Sequence, residues 1–585
     1  MVVPASTLEN WENELEKFCP GLNVYTYYGS MREREDMRQD IRSGIRSGDV
    51  DVVLSTYTIF EREASKDDRA FLRKIDFDYM ILDEAHCLKN SESSRFVNLS
   101  QMKSSRRLLL SGTPVQNDIK ELLALLSFLM PDVFRKDKCE VLLEAYNWES
   151  AASSNTTPHS GRGDLATRNV RTMLAPFVLR RRKKDVLDQL VDKETVVVRL
   201  PMTDNQKRIY HSIIQGYSNR KEKLKQKAII EKSEAKLLDG IVTIPKDRSS
   251  SNDVLAALPF TVKSSKFFSS SGKTVDLTGA EPVVDLVDSP LVPRPRPSTA
   301  VATILRDLSP TEARSLFTAL RKAANHPLLL RNRYVDPAQI ELIANVTHIR
   351  EHFGNQCDLQ RVREELAEFS DYDLHELCME YFDALSHLEL PEEALYDSPK
   401  MVYLQEHLPL LVAQGHRVLV FSQWTKLLDL LGVLLRNQLG IKFMRLDGST
   451  PVKERQDMIN KFNRDASFGV FLLSTKAGGL GINLTAADTV IMHDLDFNPE
   501  NDRQAEDRCH RIGQTRPVTV YKLVCEDTVD ADIFDIGERK SAMSKAVLED
   551  TDSASKTGQA KRAGGREGDG ELSTIQLILQ RALGK

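Results

Sequence analysis

Short apolar runs, each closed by a cluster of small or polar residues, occur in two separate blocks of this chain, and that grammar admits few folds. In the first block, from Met1 to about Pro201, the runs are Val2-Val3, Val52-Val53-Leu54, Tyr79-Met80-Ile81-Leu82 and Arg107-Leu108-Leu109-Leu110. They close on Pro4-Ala5-Ser6-Thr7, Ser55-Thr56, Asp83-Glu84-Ala85-His86 and Ser111-Gly112-Thr113-Pro114. Apolar strands alternating with helical patterns predict an α/β fold with a parallel sheet covered on both faces. Ligands of such sheets bind beyond the carboxyl ends of the strands, so the polar clusters should share one functional edge. The pattern returns between Met401 and about Val524, with runs at Arg417–Phe421, Phe443–Leu446, Val470–Leu473 and Thr489–Met492. A second α/β lobe is expected there.

Between the lobes the pattern is mostly helical. A stretch from about 247 to 300, with two Ser triplets and Pro290-Leu291-Val292-Pro293-Arg294-Pro295-Arg296-Pro297, lacks the periodicity of a packed element and is expected to be a disordered insertion. The expected organisation is a first lobe over 1–200, a helical linker region over 201–395, a second lobe over 396–545, and a tail over 546–585 with a short helix near its end.

Composition excludes several classes. Lys and Arg number 80 against 85 Asp and Glu, a formal charge of −5, so any polyanion site must be local rather than global. The 7 cysteines are scattered with no C-x-x-C pair, which argues against a disulfide framework or a cysteine-based zinc site and for a reducing compartment. The longest apolar stretch, Leu122 to Met130, falls short of the roughly 20 residues that span a bilayer, so no membrane partner is expected.

Asp83-Glu84 directly after an apolar strand suits a nucleoside-triphosphate site, where the first carboxylate holds Mg²⁺ and the second orients or deprotonates the attacking water. The plainer reading is an acidic turn that caps a helix. Ser111 and Thr113, at the next strand end, can couple the phosphate site to a neighbouring bound strand, or simply form a turn. In the second lobe, Ser474 to Asn483 combines hydroxyls, Lys476 and three glycines, which lets backbone N–H groups approach phosphate closely. Arg508 and Arg511, three apart, share a helix face and can donate to a γ-phosphate, although an exposed ion-paired helix would look the same.

Nine blocks carry a resemblance. In order they are Val2–Trp11, Asp83–His86, Leu110–Asn117, Pro176–Arg181, Asn325–Leu329, Val420–Trp424, Arg445–Thr450, Ser474–Leu484 and Gln504–Gln514. Together they resemble the Swi/Snf-type chromatin-remodelling ATPases of helicase-like superfamily two. Within it, His493–Pro499 followed by Asn501–Arg511 is similar to the actin-dependent regulators of chromatin containing a DEAD/H box. Ala85 stands where members of that group can carry Gly.

The resemblance implies two RecA-like lobes that clamp double-stranded DNA and bind ATP with Mg²⁺ between them. It implies a nuclear protein that acts on nucleosomes and their histones. By matching position, Asp83 would coordinate Mg²⁺, Glu84 would activate water, and Arg508 and Arg511 would act as fingers in cis. His86, Gly481 and Gln504 would lie at the nucleotide. Ser6, Asn10, Trp11, Thr56, Ser422, Gln423, Trp424, Ser449, Thr450, Thr475 and Lys476 would face DNA, mostly through phosphate. For Trp11 and Trp424 the alternative is packing against their own lobe. The basic run Arg180–Lys184 reads as a brace against the second lobe or DNA, with an import signal or a solvated face as alternatives.

The family's phosphate loop, a glycine-rich turn ending in Gly-Lys-Thr, should precede Val2. The only Gly-Lys-Thr, Gly272-Lys273-Thr274, sits in the Ser-rich insertion and reads as a chance match. The expectation is therefore an N-terminally truncated chain with an incomplete first lobe, an unfilled sheet position, and little ATPase activity on its own. That leaves an inactive DNA- or chromatin-binding scaffold as the alternative to the motor, and an RNA helicase as a further one. One accessory signal, Val283–Val287 flanked by acids, has the form of a strand that adds to a SUMO-like sheet edge.

Overall fold

The computed structural model describes residues 1–112, 119–135, 190–217, 309–478 and 482–548, together with residues 139, 176–179, 181, 183, 575, 576, 578, 579 and 581. Two parallel sheets carry the fold, as the repeated strand grammar predicts. The first has five strands in the order β2-β3-β1-β4-β5: β1 Val2–Val3, β2 Val24–Tyr27, β3 Val52–Thr56, β4 Phe77–Leu82 and β5 Ser104–Leu109. The second has six in the order β6-β11-β10-β7-β9-β8: β6 Lys193–Leu200, β7 Val418–Ser422, β8 Phe443–Leu446, β9 Val470–Ser474, β10 Thr489–Met492 and β11 Val518–Cys525.

Strands β7, β9 and β10 are buried at every residue, because helices cover both faces of the second sheet. Alternate side chains divide between two cores. Leu419, Phe421, Phe471, Leu473, Val490 and Met492 enter one, and Val418, Val420, Val470, Leu472 and Ile491 the other. The first sheet is more open at one edge, where Tyr79 on β4 and Leu108 on β5 are exposed and Arg106 lies over the Tyr79 ring.

The strand Lys193–Leu200 corrects the expected division at residue 200. It pairs with β11 through all eight residues, Lys193 opposite Val518 to Leu200 opposite Cys525, and so belongs to the second sheet. The physical reason is that β11 would otherwise leave an eight-residue ladder unpaired at the sheet edge. The helices expected as a linker region also pack on this lobe. Leu316, Phe317 and Leu320 of helix Pro310–Asn325 enter the first core, and Leu374, Leu377 and Cys378 of helix Asp371–Glu380 the second. Among the described residues no helix is long and apolar enough to cross a membrane.

The Asn325–Leu329 block has a structural role. Lys400, wholly buried at the start of helix Pro399–Ala413, donates to Asn325 Oδ1 at 3.0 Å, to the His493 carbonyl at 2.8 Å and to Asp530 at 2.5 Å. Ser398 donates to the Asn325 carbonyl at 2.7 Å. Burial pushes the His326 imidazole down to about 4, so it is neutral, and its Nδ1 accepts from the Leu328 N–H while Nε2 faces the Leu395 carbonyl. Removing one partner of a buried ion pair leaves the other uncompensated. Lys400→Met is therefore expected to destabilise the second lobe by about 3–5 kcal/mol, read as a lower urea midpoint for its unfolding transition.

Candidate active site

Asp83 and Glu84 leave the sheet at the carboxyl end of β4, between two neighbours that fix their backbone. The Asp83 N–H donates to the Val2 carbonyl at 2.9 Å on the β1 side, and the Ala85 N–H to the Leu110 carbonyl at 2.8 Å on the β5 side. Between them Glu84 adopts φ +48°, the left-handed region that costs a residue other than glycine on the order of 1 kcal/mol or more. Strain of that kind turns the two adjacent carboxylates out of the strand direction.

Two aromatic residues hold Asp83. The Trp11 indole N–H donates to Asp83 Oδ2 at 2.8 Å, and the Tyr57 hydroxyl donates to the Asp83 carbonyl at 2.6 Å. Burial raises the Asp83 pKa above the usual carboxylate range; the Trp11 hydrogen bond opposes that rise and the Glu84 charge adds to it. Glu84 Oε2 lies 3.0 Å from His86 Nδ1, and neither atom completes a hydrogen bond among the described residues.

Arg508 belongs to the other lobe. It follows helix Pro499–Glu506, is only 9% exposed, and donates from Nε to the Gln504 carbonyl at 2.9 Å while its own carbonyl accepts from the Leu484 N–H. Burial and the neighbouring Arg511 lower its pKa, and the Glu84 and Asp83 charges oppose that shift. The Glu84 and Asp83 charges of one lobe thus lie near enough to act on the Arg508 guanidinium of the other, although they are far apart in sequence.

The far side of this segment is tied to the chain that connects the lobes. Lys183 donates to the His510 carbonyl at 2.9 Å and pairs with Asp507 at 2.9 Å. Lys193 pairs with Glu506 at 2.5 Å, and His510 Nε2 meets the Val191 carbonyl at 2.8 Å. The basic run therefore braces the second lobe through Lys183. Lys193 and His510 were not singled out from sequence, because a lysine at a strand start carries no distinguishing pattern.

Several of the motif residues carry buried polar atoms that complete no hydrogen bond among the described residues. Glu84 Oε2, Gln504 Nε2 and Thr475 Oγ1 are buried and unbonded among the described residues. Such atoms are costly unless something else satisfies them, and acceptors together with donors are what a metal–polyphosphate group would satisfy. Two adjacent hard oxygen donors also fit Mg²⁺, which keeps several waters and takes few protein ligands. No group of three or more metal-ligating side chains occurs among the described residues. Ser111 sits at the end of β5, partly buried; Thr113, Gly481, Gly272-Lys273-Thr274 and Val283–Val287 lie outside the described residues.

The DNA-facing candidates divide. Ser449 and Lys476 are exposed, and Ser6, Asn10, Gln423 and Thr450 are partly so. Ser449 Oγ donates to Asp447, and Thr450 Oγ1 accepts from the Asp447 N–H, which fixes their loop as a turn. Two expectations need correction. Ser422 is fully buried and donates to Asp494 Oδ2 at 2.5 Å, and Thr56 is fully buried with its hydroxyl 2.7 Å from Thr58 Oγ1, so neither presents a surface to phosphate. Both sit inside parallel strands, where a hydroxyl satisfies the sheet end rather than a ligand. Trp11 spends its N–H on Asp83, and Trp424 packs on its own lobe with Arg321 and Lys322 each 5.8 Å from its ring. Arg321, missed from sequence, also donates to the Leu495 carbonyl at 2.8 Å and to Gln423 Oε1 at 3.4 Å, holding that loop in place.

Two family models and several curated relatives match the chain. The model of the SNF2-related domain matches residues 1–252, and that of the helicase conserved C-terminal domain matches residues 399–513. Protein CHROMATIN REMODELING 19 of Arabidopsis thaliana is 38% identical over 558 residues, covering 94% of this chain and 62% of the relative. The Drosophila melanogaster homolog of SWI/SNF-related matrix-associated actin-dependent regulator of chromatin subfamily A containing DEAD/H box 1 is 36% identical, covering 94% and 54%. ATP-dependent helicase FUN30 of Saccharomyces cerevisiae is 34% identical, covering 94% and 42%. The chain thus spans about half the length of the curated relatives it matches. With an SNF2-related domain, a helicase C-terminal domain and relatives named as chromatin remodellers and ATP-dependent helicases, this chain belongs to the Swi/Snf-type family of helicase-like ATPases with a DEAD/H box.

Proposed function

We propose that this chain forms the motor of a DNA-dependent ATPase that translocates on double-stranded DNA and acts on nucleosomes in the nucleus. The reading is carried by the placement of Asp83 and Glu84 at the carboxyl end of β4, with the Arg508 guanidinium of the other lobe near enough to feel both charges. A site divided in this way is complete only when the lobes close, so closure and hydrolysis are mechanically linked.

In this reading Asp83 and Glu84 sit at the metal and the attacking water. Arg508 and Arg511 stabilise charge that develops on the transferred phosphoryl group, and Gln504 and His86 line the nucleotide. Mg²⁺, when bound, would neutralise charge on the phosphate oxygens. The Asp83 carboxylate would help to hold that ion, and the partly buried Glu84 holds and deprotonates water away from bulk solvent. Asn10, Ser6, Gln423, Ser449, Thr450 and Lys476 form the DNA track, whereas Thr475 is buried like Ser422 and Thr56 and stands apart from it. Contacts of this kind go to phosphate and weaken with salt, as a motor that must ignore base identity requires.

The test is ATP turnover of the protein as it occurs in the cell, measured with duplex DNA, with single-stranded RNA and with neither. Stimulation by duplex DNA that falls steeply with added salt is the expected result. Stimulation by RNA alone would replace the reading with an RNA helicase, and duplex binding with no turnover would replace it with a DNA-binding scaffold.

A further inference from the structure

We infer that Trp11 is a positioning residue for Asp83, linking the DNA-facing segment after β1 to the metal-binding carboxylate; this rests on the function proposed above and deepens it. The geometry is specific. Helix Leu8–Phe18 begins directly after the Pro4–Thr7 turn, and its first turn aims the Trp11 indole N–H at Asp83 Oδ2 from 2.8 Å. The rest of the Trp11 ring packs against a small apolar cluster of Val3, Leu8 and Leu54, so the ring is anchored on the same segment that carries Ser6 and Asn10. The Ser6 hydroxyl is buried without a hydrogen-bond partner among the described residues, only a few residues from the anchored ring.

A second tie runs in parallel. Tyr57, which follows Thr56 at the end of β3, donates to the Asp83 carbonyl at 2.6 Å, and Val2 of β1 accepts the Asp83 N–H at 2.9 Å. Side chain, carbonyl and amide of Asp83 are thus each held by an element that reaches the carboxyl edge of the first sheet. A hydrogen bond to one oxygen of a carboxylate fixes the rotation of the whole group and so the direction in which the other oxygen points. When duplex DNA engages the segment after β1, a displacement of the indole reorients Asp83, which gives DNA stimulation of hydrolysis a physical route that needs no contact between DNA and nucleotide.

Trp11→Phe keeps the apolar packing and removes only the donor. Loss of a hydrogen bond to a charged group predicts a half-saturating Mg²⁺ concentration for duplex-stimulated turnover raised about 10-fold or more, with a smaller effect on the rate at saturating Mg²⁺. A purely structural role would instead lower the rate at all Mg²⁺ concentrations. The second readout does not depend on turnover. Fluorine NMR of the chain labelled with fluorotryptophan should show one line for each of the 3 tryptophans, Trp11→Phe identifying the Trp11 line. That line should move on Asp83→Asn and again on adding duplex DNA to the wild-type chain. A Trp11 line indifferent to both, or an unchanged Mg²⁺ requirement in Trp11→Phe, would overturn the inference. A wild-type chain with no duplex-stimulated turnover would overturn the proposed function instead, while the fluorine lines would still decide the Trp11–Asp83 link.

Discussion

Glu84→Gln is expected to lower duplex-stimulated ATP turnover by about 10²–10⁴-fold, the range typical of a lost general base. Glutamine has the same length and retains the left-handed backbone at φ +48°, since it is neither β-branched nor bulkier than glutamate. What it lacks is the charge. That charge raises the Asp83 pKa and attracts Arg508 from the second lobe, so its loss should leave Asp83 ionised more readily and loosen lobe closure slightly. Nucleotide affinity, followed with a fluorescent ATP analogue, should therefore change far less than turnover. A variant that binds nucleotide and turns it over at the wild-type rate would remove Glu84 from the chemistry. One that loses binding, turnover and its urea midpoint together would make Glu84 a structural residue only.

The fold was legible where the strands are short apolar runs with a marked end. All eight runs named from the sequence fall on strands, because a strand buried on both faces must be apolar throughout and cannot continue into a polar cluster. Three strands escaped notice. Tyr25 and Thr26 in β2 are partly buried, and β6 and β11 alternate charged with apolar residues, as in Lys193-Glu194-Thr195-Val196 and Tyr521-Lys522-Leu523. Those lie at or next to sheet edges, where burial on one face suffices and the apolar signal thins.

The site was legible to a similar degree. Asp83 and Glu84 follow from residue type at a strand end, whereas the helix face expected to carry Arg508 and Arg511 is absent: helix Pro499–Glu506 ends before them, so their charges are placed by the turn that follows it. The supporting contacts were not legible. Tyr57, Arg321 and Lys193 act through single long-range hydrogen bonds or ion pairs that depend on the register of separate elements, and no local pattern encodes these. Ser422 and Thr56 failed as DNA contacts for the converse reason: a hydroxyl at a strand end looks the same in sequence whether it faces solvent or closes a turn. Ser422 closes one, accepting from the Trp424 N–H at 3.1 Å while donating to Asp494.

Arg508→Ala should reduce turnover by about 10³-fold or more, the effect of losing an arginine finger, with a much smaller loss of stability. The two effects separate because of how Arg508 is held. Its hydrogen bond within its own lobe runs from Nε to the Gln504 carbonyl, a bond whose loss costs about 1–3 kcal/mol, whereas its charge is acted on by Glu84 and Asp83 of the other lobe as well as by Asp507 of its own. Arg508→Lys tests which property matters. Lysine keeps the charge but not the planar fork, and it is expected to recover lobe closure and nucleotide affinity without recovering the rate. Burial first and the neighbouring Arg511 charge second lower the Arg508 pKa, so the two guanidiniums repel. Two like charges are kept together at a cost only if an anion uses both, so Arg511→Ala should also lose rate, and the double variant should lose less than the product of the single losses. Fully multiplicative losses would mean that the two arginines act at separate places, and a rate unaffected by Arg508→Ala in a folded, ATP-binding chain would mean that the meeting of the lobes at this point has no part in hydrolysis.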